Sequence, residues 1–140
     1  VEQGVQRSAS RIDEENRRLI GCRVDEVPAV RVWAARLLAD HPRLDEVLLV
    51  VGEFAANAVL HSLAGGDGAE IRLLHAGEQV EVRVRNRGAA GFGPRVRRVD
   101  GAAESGRGLL LVEALADGWG TRADGGWVTV WARFNAETGT

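Results

Sequence analysis

The chain has 140 residues, 45% of them apolar and 27% charged, and carries a formal net charge of −2. This is the size of one domain with enough apolar content to bury a core without staples, and the slight acidity argues against direct nucleic-acid binding, which calls for a basic stripe. A single cysteine, Cys22, excludes an internal disulfide and a cysteine-based zinc site, while no apolar run is long enough to cross a bilayer and the polar stretch Val1–Arg18 does not read as a secretory signal. A cytoplasmic protein without a membrane partner is therefore expected.

All 18 basic residues are arginine, and tyrosine is absent too. The missing lysine excludes a Walker A phosphate loop, a protein kinase of the eukaryotic type and Schiff-base chemistry. If the chain handles a nucleotide, it does so by another route. Lysine-free, Ala-, Gly- and Val-rich usage also points to a GC-rich genome.

In chain order, Val1–Ser10 reads as loose and Arg11–Ile20 as a short charged helix or an arm. Val27-Pro28 opens a helix, because proline is tolerated in a first turn. Val30, Trp33, Ala34, Leu37 and Leu38 form its apolar face, and His41-Pro42 ends it. Asp45 is the expected N-cap of the longest helix, which runs to about Ser62 and buries Val47, Val51, Phe54, Ala55, Ala58 and Val59. Ala64–Gly68 breaks it. Strands follow at Glu70–His75 and Gln79–Arg85 around an Ala76-Gly77-Glu78 turn. The second alternates, with Val80, Val82 and Val84 on one face and Glu81, Arg83 and Arg85 on the other.

Arg87–Ser105 reads as a long irregular loop, of the kind that is usually functional. Gly106–Ala116 is expected to be a short apolar helix. Trp119–Ala123 and Trp127–Phe134 form a terminal hairpin closed by Asp124-Gly125-Gly126, with a frayed tail after it. The order predicts one mixed or antiparallel sheet with helices packed on one face, an α/β domain of the α+β two-layer sandwich kind.

Three places could carry chemistry. Glu53, Asn57 and His61 recur at i, i+4 and i+8 and share one stripe of a helix that is otherwise mostly apolar. A carboxylate there tends to face a cleft. Asn86 continues the alternation of Val80, Val82 and Val84, and so sets a polar side chain at the end of an apolar layer. Ser105-Gly106-Arg107-Gly108-Leu109 opens a helix with two glycines, and such a start offers free N–H groups and a positive dipole end to phosphate. Taken singly, each has an ordinary structural reading: a solvated helix face, a turn asparagine, a glycine near a helix end.

Together they resemble the GHKL ATP-binding fold, and within it the small anti-sigma-factor serine/threonine kinases of actinobacterial type. The likeness runs from about Arg23 to Phe134. It is carried by Val51-Gly52-Glu53-Phe54-Ala55-Ala56-Asn57-Ala58-Val59-Leu60-His61-Ser62, by Ser105-Gly106-Arg107-Gly108-Leu109-Leu110-Leu111-Val112, and by Thr129-Val130-Trp131. It divides the chain into an extension (1–22), an ATP-binding domain (23–134) and a tail (135–140).

The resemblance implies the following roles. Glu53 is the general base, and Asn57 holds the Mg²⁺ that bridges the ATP phosphates. Gly106, Arg107, Gly108 and Leu109 wrap the phosphates. Asn86 and Gly88 sit at the adenine, and Thr129 supports it through a hydroxyl or a water. Asn86 stands where the family usually has aspartate. Its carbonyl still accepts the adenine amino hydrogen but without the charge, and the difference of about 1.4 kcal/mol corresponds to roughly tenfold in affinity. His61 is typical of the family and is read as a packing histidine.

The implied partners are a sigma factor and a STAS-domain antagonist carrying the phosphorylated serine, with a homodimer formed through the sheet. Two alternatives stand beside this. One is a degenerate module that works by protein contact, through Trp33 and the loop arginines Arg95, Arg97 and Arg98. The other is the catalytic domain of a sensor histidine kinase.

Overall fold

A computed structural model of the chain describes residues 14–21, 23–63, 68–87 and 103–136. The elements in order are β1 (Glu14–Ile20), α1 (Glu26–Leu37), α2 (Leu44–Leu63), β2 (Ala69–Ala76), β3 (Gln79–Arg87), α3 (Ala103–Leu115), β4 (Gly118–Asp124) and β5 (Trp127–Phe134). The strands form one sheet in the order β1-β2-β3-β5-β4, and every pairing is antiparallel, so the sheet is not mixed. The helices pack on one face, as the α+β reading expects. No helix among the described residues is long and apolar enough to cross a membrane.

Register is set by two tight turns. Ala76 pairs with Gln79, and Gly77 between them takes φ +64°, so this turn has two residues rather than three. Asp124 pairs with Trp127 around Gly125 and Gly126, at φ +57° and +87°. The first turn has one left-handed residue and the second has two; both arrangements suit the twist of the flanking strands, and glycine adopts them at little cost.

The core lies between sheet and helices. Val80, Val82 and Val84 of β3 and Val130, Ala132 and Phe134 of β5 point into it. Over them lies α2, contributing Val47, Val51, Phe54, Ala55, Ala58 and Val59 as expected and Val50 besides. Val30, Ala34 and Leu38 seal α1 against the same core.

Three boundaries differ from expectation. Glu14–Ile20, within the segment read as a short helix or an arm, is not helical: it is the edge strand, paired along its length with β2. Asp45 is not the N-cap, since α2 begins at Leu44 and its entry is capped by an imidazole: the Arg43 N–H donates to His41 Nδ1 at 3.0 Å. That contact assigns the hydrogen to Nε2, which donates to the Glu78 carbonyl at 2.7 Å. Finally, α3 begins at Ala103, inside the segment read as loop.

Sequence reading also missed a buried arginine. Arg43 is 7% exposed. Its Nε donates to Glu46 at 2.6 Å, one terminal nitrogen donates to Asp117, and the other to the Leu115 carbonyl at 2.7 Å. The guanidinium lies 5.2 Å from the centre of the Phe134 ring. Burial works against its charge, but the hydrogen bonds and attraction of Glu46 and Asp117 outweigh that and raise its pKa above the usual value.

Replacing Arg43 with methionine leaves the Asp117 carboxylate, 14% exposed, without its cation. Breaking a buried pair in this way costs about 3–5 kcal/mol. Urea unfolding should show that loss for Arg43→Met, with much of it recovered in Arg43→Met/Asp117→Leu, which removes both charges.

Candidate functional site

The stripe read from α2 is present. Glu53, Asn57 and His61 are half-buried, while Phe54, Ala55, Ala58 and Val59 between them are buried. One side of α2 therefore fills the core, and the polar stripe runs along its border. The histidine that ends the stripe has a definite job. His61 Nε2 donates to the Arg87 carbonyl at 3.0 Å, clasping the C-terminal end of α2 to the end of β3.

Asn86 immediately precedes that carbonyl. It is 7% exposed and faces the helices with Val80, Val82 and Val84, as the alternation requires. Its cross-strand neighbours are Ala69 on β2 and Val128 on β5. A carboxamide carries both an acceptor and two donors, so at this position it offers a directional contact at the rim of an otherwise apolar layer.

Thr129 does not join it. Thr129 pairs with Arg85 and lies with Trp127 on the opposite face of the sheet, where both line a shallow groove with Arg72 and Arg83. The cause is the turn at Gly125-Gly126, which fixes the register so that Val128, Val130, Ala132 and Phe134 face the helices. A side chain one position away points the other way. The residue across from Asn86 on the helix side is thus Val128, an apolar group where the resemblance implied a hydroxyl.

Gly106, Arg107 and Gly108 lie within α3 rather than ahead of it. The free N–H groups of a helix belong to its first turn, and that turn starts at Ala103. Leu109 is 1% exposed and is a packing residue beneath α3. Gly88, Arg95, Arg97 and Arg98 lie outside the described residues.

Glu53, Asn57 and Asn86 therefore share the helix side of the sheet: a carboxylate and a carboxamide one turn apart on α2, and a second carboxamide at the end of the strand that α2 is clasped to. The set offers oxygen ligands and hydrogen-bonding groups suited to a polar ligand lying along the border of α2.

Over residues 23–134 the sequence matches the histidine kinase-like ATPase domain family. The chain belongs to this family, and membership implies ATP binding. Among solved structures it is similar to the RsbU and RsbW domains of Rv1364c from Mycobacterium tuberculosis, with a TM-score of 0.63 and 21% identity over 87% of this chain and 32% of that one. The chain thus spans about a third of that protein's length. It is also similar to the crystallised SiaB–SiaC complex from Pseudomonas aeruginosa, with a TM-score of 0.54 and 18% identity over 95% of this chain and 94% of that one. At such identities the likeness is one of fold. No curated protein matches the sequence significantly.

The clasp is testable apart from any ligand. His61→Leu removes one side chain-to-backbone hydrogen bond and should cost about 1 kcal/mol. Amide hydrogen exchange at Arg85–Arg87 should accelerate while exchange in the middle of β3 stays protected. Unchanged exchange at the strand end would mean that the clasp contributes nothing in solution.

Proposed function

We propose that this chain is an ATP- and Mg²⁺-dependent serine/threonine protein kinase domain of the anti-sigma-factor type, acting on a partner protein. The observation that carries the reading is the pairing of Glu53 with Asn57 one turn apart on the half-buried border of α2, on the same side of the sheet as buried Asn86. Family membership supplies the nucleotide. The names of the neighbouring folds, an RsbW domain and the SiaB–SiaC complex, favour a regulator that works on another protein.

In this reading Glu53 accepts the proton of the attacking hydroxyl, which makes it the general base. Asn57 presents a carboxamide oxygen, a hard ligand that would help to hold Mg²⁺. The chemistry the metal would supply at Asn57 is neutralisation of the phosphate charge during transfer. Asn86 accepts from the adenine amino group. Gly106 and Gly108 let the backbone of α3 come close to the phosphates, with Arg107 beside them. The proposed partners are a STAS-domain antagonist and a sigma factor.

A second reading, in which the fold binds a partner without turnover, is favoured by the neutral Asn86 with Val128 opposite it. Fewer charged and polar groups read the base there, and a weak nucleotide site is the consequence.

Two measurements separate these readings. Calorimetry with Mg²⁺–ATP should show adenine-selective binding that tightens about tenfold in Asn86→Asp, the worth of about 1.4 kcal/mol. A folded protein that gives no heat with ATP, in either form, excludes the kinase. Single-turnover transfer from ATP to a STAS-domain protein should fall by about 10²–10⁴ in Glu53→Ala, with ATP affinity unchanged. Transfer at the wild-type rate in that variant rules out Glu53 as the base.

A further inference from the structure

The face of the sheet turned away from the helices takes no part in the site above, and it is not an ordinary solvated surface. Its centre is a groove between β2, β3, β5 and β4, of about 210 Å³, into which Arg72, Arg83, Arg85 and Arg122 project beside the indole of Trp127. Glu70 and Asp124 line it as well. The arginines are not equally neutralised. Arg72 pairs with Glu70 at 2.9 Å and with Glu15 at 3.4 Å, and Arg83 pairs with Glu81. Arg85 and Arg122 have no ion pair among the described residues.

Arg85 is the more telling of the two. Its Nε is buried and has no hydrogen-bond partner, and its guanidinium lies 4.2 Å from the centre of the Trp127 ring. Arg87 approaches the same ring at 5.0 Å. A stacked guanidinium with an unmet donor is held in place but not satisfied. Its fork geometry suits a carboxylate.

The surface beside the groove is also kept flat. A Cβ added at Gly120 would sit 3.1 Å from the Trp131 indole, and one at Gly118 would sit 2.6 Å from the Arg133 guanidinium. The two glycines of β4 thus let these side chains lie across the edge strand, where Arg133 is 5.5 Å from the Trp131 ring centre.

We infer that this groove docks an acidic, extended segment of a partner protein, with carboxylates on Arg85 and Arg122 and chain atoms against Trp127. Charge complementarity selects this occupant. Four of the six charged groups that line the groove are cationic, so a second copy related by a twofold axis would bring one cationic surplus against another. A nucleic-acid backbone would have to run past Glu70, Glu81 and Asp124, on a chain whose net charge is −2. A peptide can place its carboxylates where the cations are and neutral residues elsewhere.

The test is an NMR titration of the ¹⁵N-labelled chain with a poly-glutamate peptide at near-physiological salt, where purely diffuse attraction is screened. Shifts should centre on the Trp127 indole N–H and the amides of Arg85 and Arg122. Arg85→Gln/Arg122→Gln keeps the side-chain stems and should weaken binding at least about tenfold. Arg31→Gln/Arg36→Gln on α1 should leave binding unchanged, and the dispersion of the free spectra shows whether each variant is folded. No binding, shifts centred elsewhere, or equal weakening by the α1 variant overturns the inference. So does tighter binding of a single-stranded RNA of similar length, which would make the face a nucleic-acid surface. Self-association that is lost in Arg85→Gln/Arg122→Gln would assign it to a second copy instead.

Discussion

The placement of α2 depends first on the guanidinium of Arg43. From the residue before the first turn of α2 it reaches Glu46 in that turn, the last carbonyl of α3 at Leu115, and Asp117 just before β4. Asp117 in turn accepts the Asn135 N–H at 2.7 Å, and its own N–H donates to Arg133 at 2.8 Å. One side chain therefore ties the start of the central helix to elements that follow it far along the chain. At the other end of α2, His61 holds the end of β3. The helix has 20 residues, about 30 Å of length, and is moored at both ends. Glu53 and Asn57 lie between the moorings, on a rigid element. The site proposed there would have to hold its reacting groups in register, which a rigid element serves.

The sheet sorts the remaining chemistry by face. Strand side chains alternate, so the register fixed by Gly77 and by Gly125-Gly126 decides which residues meet the helices and which do not. Asn86 and Val128 are on the inner side; Arg85, Trp127 and Thr129 are on the outer. The inner face is a continuous apolar layer that ends in one carboxamide. The outer face is a lattice of arginines, carboxylates and indoles. A two-layer fold with one uncovered sheet face has to solvate that face, and here most of it is solvated through ion pairs between neighbouring side chains.

What could be read from the sequence follows from which signals are local. The stripe Glu53–Asn57–His61 and the alternation that buries Asn86 depend only on helix and strand periodicity, and both hold in the structure. The hairpin at Gly125-Gly126 was legible for the same reason. β1 was not. Its outer residues are exposed, only Ile20 is buried, and a charged edge strand carries no apolar period to read. Arg43 was illegible for a different reason: its partners Leu115 and Asp117 are distant in sequence, and no local pattern announces a buried cation. The side taken by Thr129 needed tertiary information too, because alternation gives two faces and only the packing of the helices says which is inner. The start of α3 shifted because Ala103-Glu104-Ser105 is compatible with a first helical turn, and glycine inside a helix costs only about 1 kcal/mol relative to alanine.

The two faces meet at the end of β3, where Arg85 and Asn86 are consecutive and point in opposite directions. Adjacency of this kind does not by itself couple an outer ligand to an inner one. Coupling needs an element with two arrangements that both ligands bias. The end of β3 is poorly suited to that part. It is paired on both sides, with β2 and β5, and its last carbonyl is held by His61. A displacement large enough to reach Asn86 from Arg85 would have to break cross-strand pairing or the clasp. The physical expectation is therefore that this strand acts as a partition, with the chemistry proposed for α2 and any contact made by the arginine face contributing independently to what the protein binds.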